Sequence, residues 1–168
     1  MLIGIQNFLS AREVDELFNN QFDSSQFPDN GVSYFTLTDP LSAPGRQRKY
    51  YSSVNLEQLD TRLKQLIHTH TGKHVRSDRG YGPRVLTYNP GMGLCWHSDQ
   101  VNEYRIATAI LFLNDSEEYK GGQLEFENQD TPRTNKGDLV LYSTDLTHRV
   151  TDVTEGVRQS FVLFYYTE

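Results

Sequence analysis

The sequence predicts a mainly β protein with flanking helices, its strands closing into a sandwich, barrel or jelly roll. Two observations predict it. From residue 84 onward the chain falls into short apolar runs separated by Gly, Pro, Asn and Asp at close spacing, the pattern of strands joined by turns. Ten Tyr and nine Phe point the same way, because aromatic side chains pack well on a pleated surface. Helical periodicity is confined to the part before residue 75. A length of 168 residues suits one domain with a proper core, spanning 1–168 with a β core at about 84–166.

Residues 2 to 9 read as a short strand. Ser10-Ala-Arg-Glu13 has the form of a capping box, and Val14, Leu17 and Phe18 supply one apolar helix face. Asn19 to Asn30 is loop-like, and 32 to 38 form a plausible strand. Asp39 to Arg48 holds Pro40, Pro44 and Gly45 without periodicity, a candidate lid with Tyr50 and Tyr51 at its base. Asn55 opens the clearest helix: Leu56, Leu59, Leu63, Leu66 and Ile67 share a face, Gln58 stands three after the cap, and Gly72 sits at the C-terminal end. His68, His70 and His74 near that end resemble a zinc cluster in composition only, since positions two apart on a helix diverge. The later strands are expected at 84–88, 94–98, 105–113, 123–127, 138–142, 147–153 and 157–166.

A net charge of −6 disfavours a phosphate backbone, so no nucleic-acid partner is expected. Arg46, Arg48 and Lys49, and Arg76, Arg79 and Arg84, read as solvated surface. The lone cysteine, Cys95, excludes an internal disulfide and suits a reducing compartment; a buried apolar role is expected for it before a ligand role. The N-terminal stretch lacks a basic flank and an apolar run long enough for a signal or a membrane span, so the expected location is cytoplasmic.

Residues 95 to 99 read Cys-Trp-His-Ser-Asp, and on an extended backbone His97 and Asp99 point to one side. His148, on a different expected strand, is the third candidate ligand. Two imidazoles and a carboxylate can occupy one face of an octahedron and leave three positions open, as non-haem Fe(II) oxygenation requires; zinc or manganese would also bind such a set. Thr154-Glu155-Gly156 reads as a three-residue hairpin loop with glycine in the left-handed position. That hairpin would set Asp152 opposite Arg158 and His148 opposite Val162, with His148, Arg158 and Ser160 turned inward together. Arg158 would then lie roughly 13 Å along the strand from His148, a gap that a five-carbon diacid and a guanidinium can bridge. The alternative for Arg158 is a cross-strand pair with Asp152.

Taken in order, these pieces resemble the Fe(II)- and 2-oxoglutarate-dependent dioxygenases, most of all their prolyl 4-hydroxylase-like branch. The matching residues are Val85-Leu-Thr-Tyr88, Gly91, His97-Ser-Asp99, Arg105 to Asn114, Gly121-Gly-Gln-Leu-Glu-Phe126, Lys136 to Tyr142, His148 and Arg158. The resemblance implies a double-stranded β-helix of the jelly-roll, cupin-like kind with N-terminal helices packed on one sheet. It implies Fe(II) on His97, Asp99 and His148, with Arg158, Ser160 and Tyr88 binding the distal carboxylate of 2-oxoglutarate. The implied reaction consumes dioxygen, releases succinate and carbon dioxide, and hydroxylates an aliphatic C–H of a peptidyl proline or a small amino-acid-like substrate; ascorbate is an accessory candidate. Many relatives have Lys where Arg158 stands, a common variant that does the same electrostatic job, and many have a tyrosine where Leu94 stands, so a hydrogen bond to the co-substrate is missing from the pocket here. Asp99 argues against halogenation, for which related enzymes put a small residue at this ligand.

Two other readings remain. A nucleic-acid demethylase of the same superfamily usually has a second arginine a few residues after the first, where this chain has Phe164, Tyr165 and Tyr166. A non-catalytic metal-binding jelly roll would have no evident need for open metal positions. Tyr34, Tyr50, Tyr51, Tyr81 and Trp96 could line a substrate pocket, and Glu103 or Arg105 could contact substrate, although surface roles are expected for these two.

Overall fold

The computed structural model describes residues 1–18, 56–77, 84–130 and 134–168, and the backbone alone of 47–50. The expected strand at 32–38, most of the loop at 39–48, Asn55 and Tyr81 lie outside the described residues.

The chain begins with β1 (Leu2–Ile5) and α1 (Ala11–Phe18). The capping box is present: the Ser10 amide donates to Glu13 Oε2 at 2.7 Å and the Glu13 amide donates to Ser10 Oγ at 3.2 Å. These bonds, led by the one from the Ser10 amide, hold the Glu13 carboxyl below its ordinary pKa. After β2 (Gln47–Tyr50) comes α2 (Leu56–Thr71), closed by Gly72 at φ 69°, whose amide donates to the His68 carbonyl at 2.8 Å. Leu59, Leu63 and Ile67 are buried along one side of α2. Each contributes about 1.5–3 kcal/mol relative to exposure.

The strands that follow are β3 (Val75–Ser77), β4 (Arg84–Tyr88), β5 (Leu94–His97), β6 (Arg105–Phe112), β7 (Tyr119–Gly121) and β8 (Leu124–Phe126). Then come β9 (Leu139–Ser143), β10 (His148–Val150), β11 (Val153–Gly156) and β12 (Arg158–Thr167). The large sheet runs β1-β9-β6-β12-β4-β2, with β3 also on β12; a smaller sheet runs β5-β10-β8, and β11 pairs with β7. This is the double-stranded β-helix expected from the resemblance.

The central strands have apolar residues on both faces, which is why they read as unbroken hydrophobic runs. Ala107, Ala109, Leu111, Leu139, Leu141, Phe161 and Leu163 share a core with the helices. Ile110, Phe112, Val140, Tyr142, Val162 and Phe164 share another with Leu124, Phe126 and Val150 of the small sheet. Period-two alternation is legible only where one face is wet, and here neither is. Tyr165 ties the helical layer to the sheet, its hydroxyl donating to Asp60 on α2 at 2.9 Å.

One expected pairing is corrected. The segment 147–153 divides into β10 and the start of β11, and β11 and β12 do not form a hairpin. Gly156 does adopt φ 73°, but Val153 pairs with Gly121 of β7, whereas Arg158 pairs with Tyr88 and Val162 with Arg84 of β4. The turn carries the chain from one sheet to another, as jelly-roll connections do, so Asp152 does not lie opposite Arg158 nor His148 opposite Val162. Among the described residues no helix is long and apolar enough to cross a membrane.

Candidate functional site

His97 closes β5 and His148 opens β10, and the two are direct cross-strand partners with ring centroids 4.2 Å apart. Residues opposite each other in an antiparallel pair share a face, so the register alone brings the imidazoles together. Asp99 lies just beyond β5. Its amide donates to the Thr144 carbonyl at 3.0 Å, and its carbonyl accepts from Arg105 Nη1 at 3.1 Å, which pins the chain where it leaves the sheet. Its Oδ1 is 3.7 Å from His97 Nε2 and its Oδ2 is 3.6 Å from His148 Nε2. Those separations are too long for hydrogen bonds. The three donor atoms lie within 4.8 Å of one another, so the group could hold a metal ion.

The backbone sets the ring tautomers. His97 Nδ1 lies 2.8 Å from the Cys95 carbonyl, and His148 Nδ1 lies 3.0 Å from the Leu146 carbonyl. A carbonyl only accepts, so each Nδ1 carries a hydrogen, and Nε2 is the nitrogen turned toward Asp99 and available to a metal. Burial lowers the His148 pKa below its ordinary value, partly opposed by the Asp99 carboxylate, which favours the neutral form that a metal requires. The carboxylate is itself held: Thr108 Oγ1 donates to Oδ2 at 2.8 Å and the Tyr142 hydroxyl donates to the same oxygen at 2.7 Å. Burial, then the neighbouring carboxylate, keep the Tyr142 phenol protonated well past its ordinary pKa.

A cavity of about 190 Å³ opens beside this group, lined by Tyr88, His97, Asp99, Tyr142, Arg158 and Ser160 among others. Arg158 is 1% exposed. Its guanidinium packs 5.1 Å from the Tyr88 ring centroid and 5.2 Å from that of Phe112, and Nη1 donates to Ser160 Oγ at 3.1 Å. Nε and Nη2 are buried with no hydrogen-bond partner among the described residues, so the pairing with Asp152 considered from sequence is not made. The Tyr119 phenol also lies near the guanidinium, whose charge partly opposes the rise that burial gives the phenol's pKa; neutral neighbours of this kind leave the buried charge uncompensated, which calls for an anion.

His97, Asp99, His148, Arg158, Ser160 and Tyr88 are therefore gathered around one cavity and its wall, by two facing sheets rather than by the expected hairpin. Other expectations change. Cys95 is exposed instead of buried, and its contribution is the carbonyl that orients His97. Arg105 and Arg84, expected at the surface, are 6% and 8% exposed, line the cavity and stack on Phe164 at 4.2 and 4.6 Å. His68 and His74 stack at 4.4 Å outside any metal-capable group found among the described residues. Thr108 and Tyr142 were legible only as polar atoms inside the apolar runs Ile-Ala-Thr-Ala-Ile and Leu-Val-Leu-Tyr.

Comparison with known proteins agrees with this geometry. A family model described as the 2OG-Fe(II) oxygenase superfamily matches residues 83–166, half of the chain. A PKHD-type hydroxylase of Klebsiella pneumoniae (strain 342) is 45% identical over 98% of this chain and 77% of its own length. One from Teredinibacter turnerae is 38% identical over 46% of this chain, a match that takes in 39% of that relative. Among solved structures, a prolyl hydroxylase of Trichoplax adhaerens in complex with a hypoxia inducible factor peptide fragment superposes with a TM-score of 0.73 at 19% identity, over 99% of this chain and 83% of that one, a likeness of fold. The chain belongs to the 2OG-Fe(II) oxygenase superfamily, within its prolyl hydroxylase-like, PKHD-type branch of 2-oxoglutarate-dependent hydroxylases.

Proposed function

We propose that His97, Asp99 and His148 bind Fe(II), and that Arg158, aided by Ser160 and Tyr88, receives the distal carboxylate of 2-oxoglutarate. The enzyme then hydroxylates an aliphatic C–H of a peptidyl proline or a small amino-acid-like substrate, with release of succinate and carbon dioxide. The observation that carries this reading is the pair of idle donors on Arg158, buried in the cavity beside the three ligand candidates. A carboxylate is the ligand that a planar guanidinium fork binds at two points.

Bound Fe(II), with 2-oxoglutarate and dioxygen, supplies the oxidising power for an unactivated C–H. The chain's own residues do the positioning. The carbonyls of Cys95 and Leu146 hold the two imidazoles with Nε2 inward. Ser160 turns Arg158, and its own Oγ remains a further donor toward an anion. Leu86, Ile110, Val150 and Val162 line the cavity with apolar surface and keep water from competing for the carboxylate. The peptide held by the Trichoplax prolyl hydroxylase supports a peptide substrate here, and a single cysteine, Cys95, in no disulfide fits a reducing, cytoplasmic setting.

Anaerobic addition of Fe(II) and 2-oxoglutarate to the intact chain tests the reading. A weak visible charge-transfer absorption is expected, followed, once air is admitted with candidate proline peptides or amino acids, by stoichiometric succinate. Well-folded protein that gives no such absorption would overturn the cofactor assignment. His97→Ala and Asp99→Ala variants that kept wild-type substrate-coupled turnover would overturn the ligand assignment.

A further inference from the structure

The large sheet reaches across the fold to hold a ligand that belongs to the other layer. Thr108 on β6 and Tyr142 on β9 are direct cross-strand partners, both on the inner face and 0% and 1% exposed. Their hydroxyls converge on one atom, Asp99 Oδ2, at 2.8 and 2.7 Å. Each carboxylate oxygen lies near one imidazole, Oδ1 3.7 Å from His97 Nε2 and Oδ2 3.6 Å from His148 Nε2, so what distinguishes them is that Oδ1 receives neither hydroxyl bond. The Tyr142 hydroxyl is also 3.0 Å from His148 Nε2, but it has one proton, and the carboxylate 2.7 Å away is the stronger acceptor.

We propose that Thr108 and Tyr142 are positioning residues that hold Asp99 as a ligand through one oxygen only, keeping Oδ2 off the metal. The inference rests on the metal reading above and goes beyond it in assigning a division of labour to the two carboxylate oxygens. Two donors on Oδ2 occupy the lone pairs that a chelating carboxylate would need and fix the rotation of the group. A metal held through Oδ1 alone would keep more of its positions open for the co-substrate. Without the two donors the carboxylate rotates freely, so metal affinity falls, and Oδ2 becomes available to fill one of those positions. Partners of metal ligands typically change affinity by about 10- to 100-fold when removed.

The test uses the full-length, metal-stripped chain and Mn(II), read by the electron paramagnetic resonance signal of the free ion. Variants are Thr108→Val, Thr108→Ser and Tyr142→Phe, with melting of the metal-free protein measured alongside. Thr108→Val and Tyr142→Phe are expected to raise the Mn(II) Kd by about 10-fold each. Thr108→Ser, which keeps the hydroxyl, should stay within about twofold of wild type by the same reasoning. A purely structural role would lower the melting temperature and leave the Kd of the folded protein alone, which would overturn the proposal. Tighter binding in Tyr142→Phe would also overturn it, by showing that the phenol competes with the metal for His148. Should Tyr142→Phe fail to fold, the Val and Ser variants of Thr108 decide between them. A wild-type chain that took up no Mn(II) would overturn the metal reading itself and this one with it.

Discussion

Replacing Arg158 by Met separates the role of its charge from that of its stem. In the ligand-free protein the guanidinium has two buried donors without acceptors, each costing about 2 kcal/mol. Against that stand two aromatic contacts and one bond to Ser160, each contributing about 1 kcal/mol. The balance is about 1 kcal/mol in favour of Met, which keeps most of the apolar stem, so the ligand-free variant should melt about 2–4 °C higher than wild type. Binding moves the other way. Losing one side of a buried charged pair costs about 2–5 kcal/mol, so the 2-oxoglutarate Kd should rise by roughly 30-fold to several thousandfold. At 100 times the wild-type Kd, the ligand should stabilise wild type by about 2.7 kcal/mol and the variant by no more than about 0.9 kcal/mol. Thermal melts with and without 2-oxoglutarate, in the presence of Mn(II) and without oxygen, measure both effects. A variant more than about 2 kcal/mol less stable than wild type, or stabilised by 2-oxoglutarate as strongly as wild type, would refute the argument that Arg158 is an unpaired charge awaiting a carboxylate.

Gly122 stands at φ 62°, and a Cβ there would fall 2.9 Å from Arg158 Cδ and 3.0 Å from Val153 Cγ2. Gly122→Ala should therefore displace the guanidinium and weaken 2-oxoglutarate binding by about 10-fold, with a stability loss of about 1–2 kcal/mol, as calorimetric titration and melting would show. Burial, followed by Asp60, holds the Tyr165 hydroxyl well above its ordinary pKa. The folded state therefore keeps a proton that the unfolded chain releases near pH 10. The stabilisation is complete below that pH and declines above it by about 1.4 kcal/mol per pH unit. Tyr165→Phe should make the slope of denaturant titrations run between pH 10 and 11 shallower by about that amount, Tyr142 supplying the remainder, and an unchanged slope would refute the assignment. Ser10→Ala removes the cap of α1 and should cost about 1 kcal/mol in the same titrations at neutral pH.

The parts of the site that were readable in the sequence are those whose geometry is local. His97 and Asp99 are two apart on an extended segment, and Ser10 with Glu13 is a one-turn motif, so spacing fixes both contacts. Gly156 adopts the left-handed conformation that its place at the end of Thr-Glu-Gly predicts. Turn chemistry says that the chain bends, though, and not which sheet receives the next strand. Arg158 consequently came to the cavity through Tyr88 of β4 and not through Asp152. Arg105 looked like a surface residue because it opens an apolar run, and only the stacking of Phe164 and Tyr166 from a strand about sixty residues later shows why a charge is buried there. Tyr142 was concealed by its neighbours, since an aromatic residue closing Leu-Val-Leu is indistinguishable from core until the sheet beneath it is known.

The two-sided burial of β12 has a consequence for how its sequence can change. Phe161, Leu163 and Tyr165 face one core while Val162, Phe164 and Tyr166 face the other, and exchanging the two sets would swap one group of large hydrophobes for another. Hydrophobicity thus scarcely penalises a one-residue slip, although in a strand with a wet face it would forbid one. What tells the two alignments apart is Arg158 and Ser160: shifted by one position, the Arg158 guanidinium would leave the cavity and enter the apolar layer beneath the helices. The residue proposed to recognise the co-substrate is also the one that fixes the phase of the central strand. An insertion or deletion between Gly156 and Arg158 would therefore be tolerated as fold far more readily than as function.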